Sequence, residues 1–197
     1  MQLSNGFNIE RVGDVMIIRF TRPEIRNPLS VVVLDDLMEV ISHLEDQVRV
    51  LVFTGTDDVF ASGADLREIA QIDATNAAEF AERGQRLMNM ISKLDPKTIA
   101  AVNGYCYGGA LDLSLACDSR IASPNAEFCH PGGGLGIMTG WGGTQRLPRL
   151  VGEAAALELF LTGKKVRADE ALCIGLIDEI ADDPLAAAID SCLSPRP

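Results

Sequence analysis

Two stretches decide the reading of this chain: Phe60-Ala61-Ser62-Gly63-Ala64-Asp65-Leu66 and Asn103-Gly104-Tyr105-Cys106-Tyr107-Gly108-Gly109-Ala110. Each reads as a turn of small residues that follows an apolar, strand-like run and opens into a helix-like stretch. A helix start carries backbone N–H groups without intrahelical partners. Two such starts brought together can aim two donors at one oxygen, an arrangement that binds a carbonyl whose oxygen becomes negative during reaction. Glycine and alanine suit both turns because backbone donors need close approach.

Outward from these turns, 7–11 and 15–20 read as strands joined at Gly13-Asp14, a hairpin signal, and Thr21-Arg22-Pro23 ends the second. Ser30 is placed to cap a helix with an apolar face of Val33, Leu34, Leu37, Val40, Ile41 and Leu44. The apolar runs 48–54 and 98–102 read as buried parallel strands, with an amphipathic helix over 75–94 between them. Short strands are expected at 120–122 and 127–129, then a glycine-rich stretch over 131–143. Helices follow at 143–147, 152–161 and 168–174, then a strand at 176–180 and a helix at 184–192. The end, 194–197, reads as a frayed tail. Strands alternating with helices predict an α/β fold with mostly parallel sheet, and no linker divides the 197 residues, so one domain is expected.

Composition narrows the function classes. Hydrophobic residues make up 47% of the chain, which excludes a disordered polymer. No apolar run reaches the roughly 18 residues of a membrane span, and 1–20 has no signal-peptide core, so a cytoplasmic protein without a membrane partner is expected. Seventeen Lys and Arg against 28 Asp and Glu give a net charge of −11, which argues against a nucleic-acid surface. An anionic ligand then needs a local cluster of cations, and Arg22, Arg26 and Arg67 flank the candidate loops. Five scattered cysteines (Cys106, Cys117, Cys129, Cys173, Cys192) with no CxxC pair point to reduced, mostly buried thiols and to no metal site. Gly134-Leu135-Gly136 begins like a dinucleotide fingerprint, but Thr139 stands where the third glycine belongs. There is no P-loop and no Gly-x-Ser-x-Gly elbow. Only His43 and His130 are present, which gives little support to a nucleophilic triad.

With these residues in view, the chain resembles the crotonase superfamily, the enoyl-CoA hydratase/isomerase family. The resemblance is carried by Arg22-Pro23, Asn27-Pro28-Leu29, the two turns, Ala116-Cys117-Asp118, Gly142-Gly143-Thr144-Gln145-Arg146-Leu147, Leu161-Thr162-Gly163, and Ala171 with Gly175-Leu176. It implies a spiral of ββα units that binds acyl-CoA thioesters, with the coenzyme A part of the substrate and no further cofactor. It also implies that the N–H groups of Ala64 and Gly109 form the oxyanion hole. The stretch Ala64, Asp65, Leu66 and Arg67 would line the pantetheine arm, Gly108 would flank the hole, and Arg26 and Arg67 would lie near the nucleotide and phosphates. The family forms homotrimers or dimers of trimers through C-terminal helices. By that pattern the core covers 1–181, and 182–197 is a short remnant of the helical segment.

The chain departs from the family pattern at the acid–base positions. The carboxylate three residues after the oxyanion glycine is Asp112, one methylene shorter than the family's glutamate. The second glutamate position, after Pro131, is Gly132, and the position where isomerase relatives place an aspartate is Gly140, followed by Trp141. Asp112 is the candidate acid or base, its pKa expected to rise on burial. His130 is the remaining titratable candidate, and Trp141 is expected to wall the acyl pocket or the core. Loss of the second glutamate argues against hydration and leaves isomerisation or decarboxylation of a malonyl-type CoA open. An acyl-CoA-binding protein without turnover is the alternative.

Overall fold

The computed structural model describes residues 6–193, so the tail at 194–197 lies outside the described residues. Strands β1 (Phe7–Val12) and β2 (Val15–Phe20) form the expected hairpin, which turns at Gly13 with φ of 63°. After β3 (Pro28–Leu29), helix α1 (Val31–Ser42) starts where the Ser30 side chain accepts from the Val33 N–H. Its buried face holds Val33, Leu34, Leu37, Val40 and Ile41, the stripe read from the sequence apart from Leu44, which is half-buried beyond the helix. Asn27, itself buried, donates to the carbonyls of Val59 and Phe60 and accepts from the Arg22 N–H.

From there the chain repeats one move. A strand enters a first sheet, the next strand enters a second sheet, and a helix returns. Strand β4 (Val50–Thr54) is followed by β5 (Val59–Ala61), β6 (Gly63–Ala64), α2 (Leu66–Ile69) and α3 (Ala77–Ile91). Strand β7 (Lys97–Val102) is followed by β8 (Tyr105–Tyr107) and α4 (Gly109–Ala116). Strand β9 (Ser119–Ala122) is followed by β10 (Glu127–Cys129) and α5 (Gly132–Leu135). Helices α6 (Gly143–Val151) and α7 (Glu153–Thr162), β11 (Val166–Arg167), α8 (Ala168–Cys173), β12 (Glu179–Ile180) and α9 (Pro184–Leu193) complete it.

The first sheet has the order β1-β2-β4-β7-β9-β12 and the second β11-β10-β8-β5, while β3 pairs with β6. Both larger sheets advance one strand per repeat, which is the ββα spiral that the resemblance implies. In the first sheet every pairing beyond the β1–β2 hairpin is parallel. Side chains alternate across β4: Leu51 and Phe53 join the main core, and Val50 and Val52 face the other way. That second face is covered by α9 through Ala188, Leu185 and Ile189.

Two expectations are corrected. The stretches read as turns contain strands: 60–66 spans parts of β5 and β6, and 103–110 contains β8. These strands are two or three residues long and pair only with distant segments, β5 and β10 in the case of β8. The strand expected over 176–180 shrinks to Glu179–Ile180, because the Leu176 carbonyl accepts from the guanidinium of buried Arg120. Among the thiols, Cys106, Cys117 and Cys129 are buried and free as expected, whereas Cys173 is exposed at the end of α8.

Candidate active site

The N-terminus of α4 is the centre of the site. Strand β8 ends where the Gly108 N–H donates to the Cys129 carbonyl, and Gly108 turns into the helix with φ of 55° and ψ of −124°, a conformation suited to glycine. The first α4 bond runs from the Asp112 N–H to the Gly108 carbonyl, and the Gly109 N–H meets no acceptor among the described residues. Strand β6 passes directly against this helix start. A Cβ on Gly63 would lie 2.4 Å from the Gly109 nitrogen, so only glycine allows the approach. The backbone of Ala64 is thereby brought beside that of Gly109.

A cavity of about 470 Å³ opens here. Of the residues singled out in the sequence, Ala64, Leu66, Gly108, Gly109, Asp112, His130 and Trp141 line it. Arg26, Asp65 and Arg67 do not. Asp65 caps α2 by accepting from the Arg67 N–H, and its carboxylate also holds the Arg67 guanidinium at 2.6 Å, which draws its pKa below the usual carboxylate range. The Arg67 side chain is otherwise exposed, and Arg26 lies 5.3 Å over the Tyr105 ring. Both cations are thus outside the cavity and reach it only if they leave these partners. The rest of the lining is mostly apolar, with Ile69, Ile72, Phe80, Ile137, Met138 and Phe160 among it.

Among the described residues, Asp112 is the one carboxylate lining the cavity, and it is 1% exposed. Burial pushes its pKa from 3.8 up to about 7, against the opposing pull of the Thr139 hydroxyl, Arg146 and the Trp141 backbone N–H. The Thr139 hydroxyl donates to Asp112 Oδ2 in a short hydrogen bond. Asp112 Oδ1 has no hydrogen-bond partner and faces His130 Nε2 at 3.5 Å, which is likewise unpartnered. Burial draws the His130 pKa down to about 4. The two therefore face each other as neutral groups between about pH 4 and 7, a protonated carboxyl and an uncharged imidazole, and not as an ion pair.

Glycines set these distances. A Cβ on Gly143, at the start of α6, would lie 2.1 Å from Asp112 Oδ1. The Trp141 indole is wedged between two helices, since a Cβ on Gly84 or on Gly109 would each lie 2.2 Å from its ring atoms. Trp141 is thus both a cavity wall and a core residue. A Cβ on Gly132 would lie 2.5 Å from the Ile137 carbonyl oxygen. A side chain at this position therefore requires that backbone to shift, and Gly132 itself lines the cavity. Sequence reading missed Thr139 as a site residue. Its one signal was a hydroxyl within the glycine-rich stretch, and nothing local ties it to Asp112, 27 positions earlier.

Comparison with known proteins places this fold in a class. A family model described as enoyl-CoA hydratase/isomerase matches residues 10–190. The chain belongs to the enoyl-CoA hydratase/isomerase family, the crotonase superfamily, as the resemblance implies. It is 38% identical to the short-chain-enoyl-CoA hydratase of Clostridium acetobutylicum over 185 residues, 92% of this chain and 70% of that protein. It is also 38% identical to the crotonyl-CoA hydratase of Syntrophomonas wolfei, over 87% of this chain and 67% of that protein. The crystal structure of an enoyl-CoA hydratase from Thermoplasma volcanium matches with a TM-score of 0.91 at 37% identity, covering 98% of this chain and 79% of that one. Among the described residues, no helix is long and apolar enough to cross a membrane.

Proposed function

We propose that this protein binds an enoyl-CoA thioester and catalyses proton transfer through its enolate, with Asp112 as acid and base. The observation that carries the reading is Asp112 itself: a buried carboxylate, its pKa near neutrality, in an apolar cavity that also exposes the α4 N-terminus. A general acid–base works best with a pKa near the working pH. The N–H groups of Ala64 and Gly109 receive the thioester oxygen as it gains charge; losing one such donor costs about 3 kcal/mol of the barrier. The apolar walls accept the acyl chain, and the absence of competing dipoles keeps the two donors strong. The family membership and the names of the relatives agree with an acyl-CoA substrate.

The test is exchange of the α-protons of butyryl-CoA with D2O, read by NMR, beside calorimetric binding. Asp112→Asn is expected to lower exchange about 10²- to 10⁴-fold while acyl-CoA affinity stays within a few-fold. Exchange at the original rate in that variant refutes the role of Asp112. Tight binding by the unaltered protein with no exchange supports the alternative, a binding protein without turnover.

A further inference from the structure

We infer that Thr139 is a further catalytic residue: its hydroxyl stands between Asp112 and the substrate and carries the proton from one to the other. This rests on the enolate reading above and adds the group through which Asp112 acts. Exposure is divided unevenly across the site. Asp112 borders the cavity but is 1% exposed, with Oδ1 buried against His130, which is itself 4% exposed. A carboxyl so covered reaches a substrate α-carbon only through a neighbouring group. Among the described residues that line the cavity, Thr139 is the one whose side chain donates a hydrogen bond to Asp112, and it is half-buried where Asp112 is enclosed.

A hydroxyl suits this position because it both donates and accepts. It donates to Oδ2 of the ionised carboxylate and accepts from the carboxyl once that is protonated, so one contact serves both halves of a proton transfer. Its neighbours hold it in place. Thr139 Cγ2 lies in the notch of Gly143, where a Cβ would come within 2.9 Å of it, and this turns the hydroxyl toward Asp112. On the following residues, Gln85 Nε2 donates to the Gly140 carbonyl at 2.8 Å and the Arg146 guanidinium donates to the Trp141 carbonyl at 3.3 Å. Groups held in this way need little rearrangement to react. The step balances without any further reactant. The α C–H bond breaks and its proton goes to Thr139 Oγ1, while the hydroxyl's own proton passes to Asp112 Oδ2. The electron pair moves into the thioester enolate, whose oxygen is held by the Ala64 and Gly109 N–H groups. The same path in reverse returns a proton to carbon.

The experiment follows exchange of butyryl-CoA α-protons in D2O, with calorimetric acyl-CoA binding beside it. Thr139→Val keeps the size of the side chain and removes the hydroxyl. It is expected to lower exchange at least about tenfold with affinity within a few-fold, and Thr139→Ser to keep most of the original rate. Should valine disturb the loop, Thr139→Ala is the second variant, with the same expected loss. Because the two groups form one path, Asp112→Asn combined with Thr139→Val should be hardly slower than Asp112→Asn alone. Exchange at the original rate without the hydroxyl, a serine variant as slow as the valine one, or strictly additive losses in the double variant overturn the inference. With Asp112→Asn still slow, each of these leaves the enolate reading standing. An unaltered protein that exchanges no α-protons, or exchange at the original rate in Asp112→Asn, removes both.

Discussion

Asp112→Asn should make the protein less active and, at alkaline pH, more stable. The substitution keeps the shape of the side chain and removes its charge. In the folded protein burial raises the Asp112 pKa from 3.8 to about 7, so between those values the folded state binds a proton that the unfolded state has lost. Stability therefore falls as pH rises from about 4 to about 7 and stays low above it. At 1.36 kcal/mol per tenfold change in proton affinity, the full burden of burying the ionised carboxylate is about 4 kcal/mol. At pH 5 the folded state is protonated and only about 1.6 kcal/mol of this is felt. The stability gap between Asp112→Asn and the unaltered protein should thus widen by about 3 kcal/mol between pH 5 and pH 8. Any penalty from a poorly matched amide is the same at both pH values and drops out of the comparison. His130 acts with the opposite sign: its pKa is depressed to about 4, so its contribution grows as pH climbs from 4 to 6.5. It is present in both proteins and cancels as well. Urea unfolding at the two pH values reads the gap directly. A gap that does not change with pH would falsify the claim that Asp112 is buried with a raised pKa, and with it the physical basis of its acid–base role.

Three further substitutions probe the glycines and the indole. Gly132→Glu places a Cβ 2.5 Å from the Ile137 carbonyl oxygen, so it should lower Tm by several degrees and bring no gain in hydration of crotonyl-CoA; a faster enzyme of unchanged Tm contradicts this. Trp141→Ala empties a buried wedge and should destabilise the fold by about 3–5 kcal/mol in urea unfolding. Gly109→Ala pushes a methyl into that indole, so its effect should be far smaller in the Trp141→Ala background; strictly additive losses in the double-mutant cycle would show that the two do not touch.

Much of the fold is legible in local patterns, because its larger elements carry their burial in sequence. The apolar run of β4 and the five-residue stripe of α1 need no partner to be recognised. The second sheet is different. Strands β8 and β10 are three residues each, and what makes Tyr105 extended is its pairing with Glu127, 22 positions away. Residues such as Gly63 and Gly108 look like turn formers when their role is to let one backbone pass close to another. The site divides in the same way. Asp112 and Gly109 lie four residues apart or fewer on one helix and are found by spacing. Thr139 is found only when the glycine-rich stretch is folded over that helix. Arg67 is a cation beside the right loop, and its partner in the structure is Asp65, two residues before it.

Asp112, Gly132, Thr139 and Trp141 meet in one packed unit. With glycine at 132, the chain can fold tightly enough for the Ile137 carbonyl to lie over it, and the Ile137 N–H bonds back to the Gly132 carbonyl. That tight loop carries Thr139 onto Asp112 Oδ2 and seats the Trp141 indole against Gly109. Asp112 in turn lies with Oδ1 in the notch that Gly143 leaves at the start of α6, where a side chain one methylene longer would have to displace that backbone. The shorter acid, the glycine at 132, the hydroxyl and the indole are thus packed together around the start of α4. Restoring a glutamate at 112 or 132 alone meets a loop built for its absence. Among the described residues, Asp112 and His130 are the two titratable groups that line the cavity beside this packed unit.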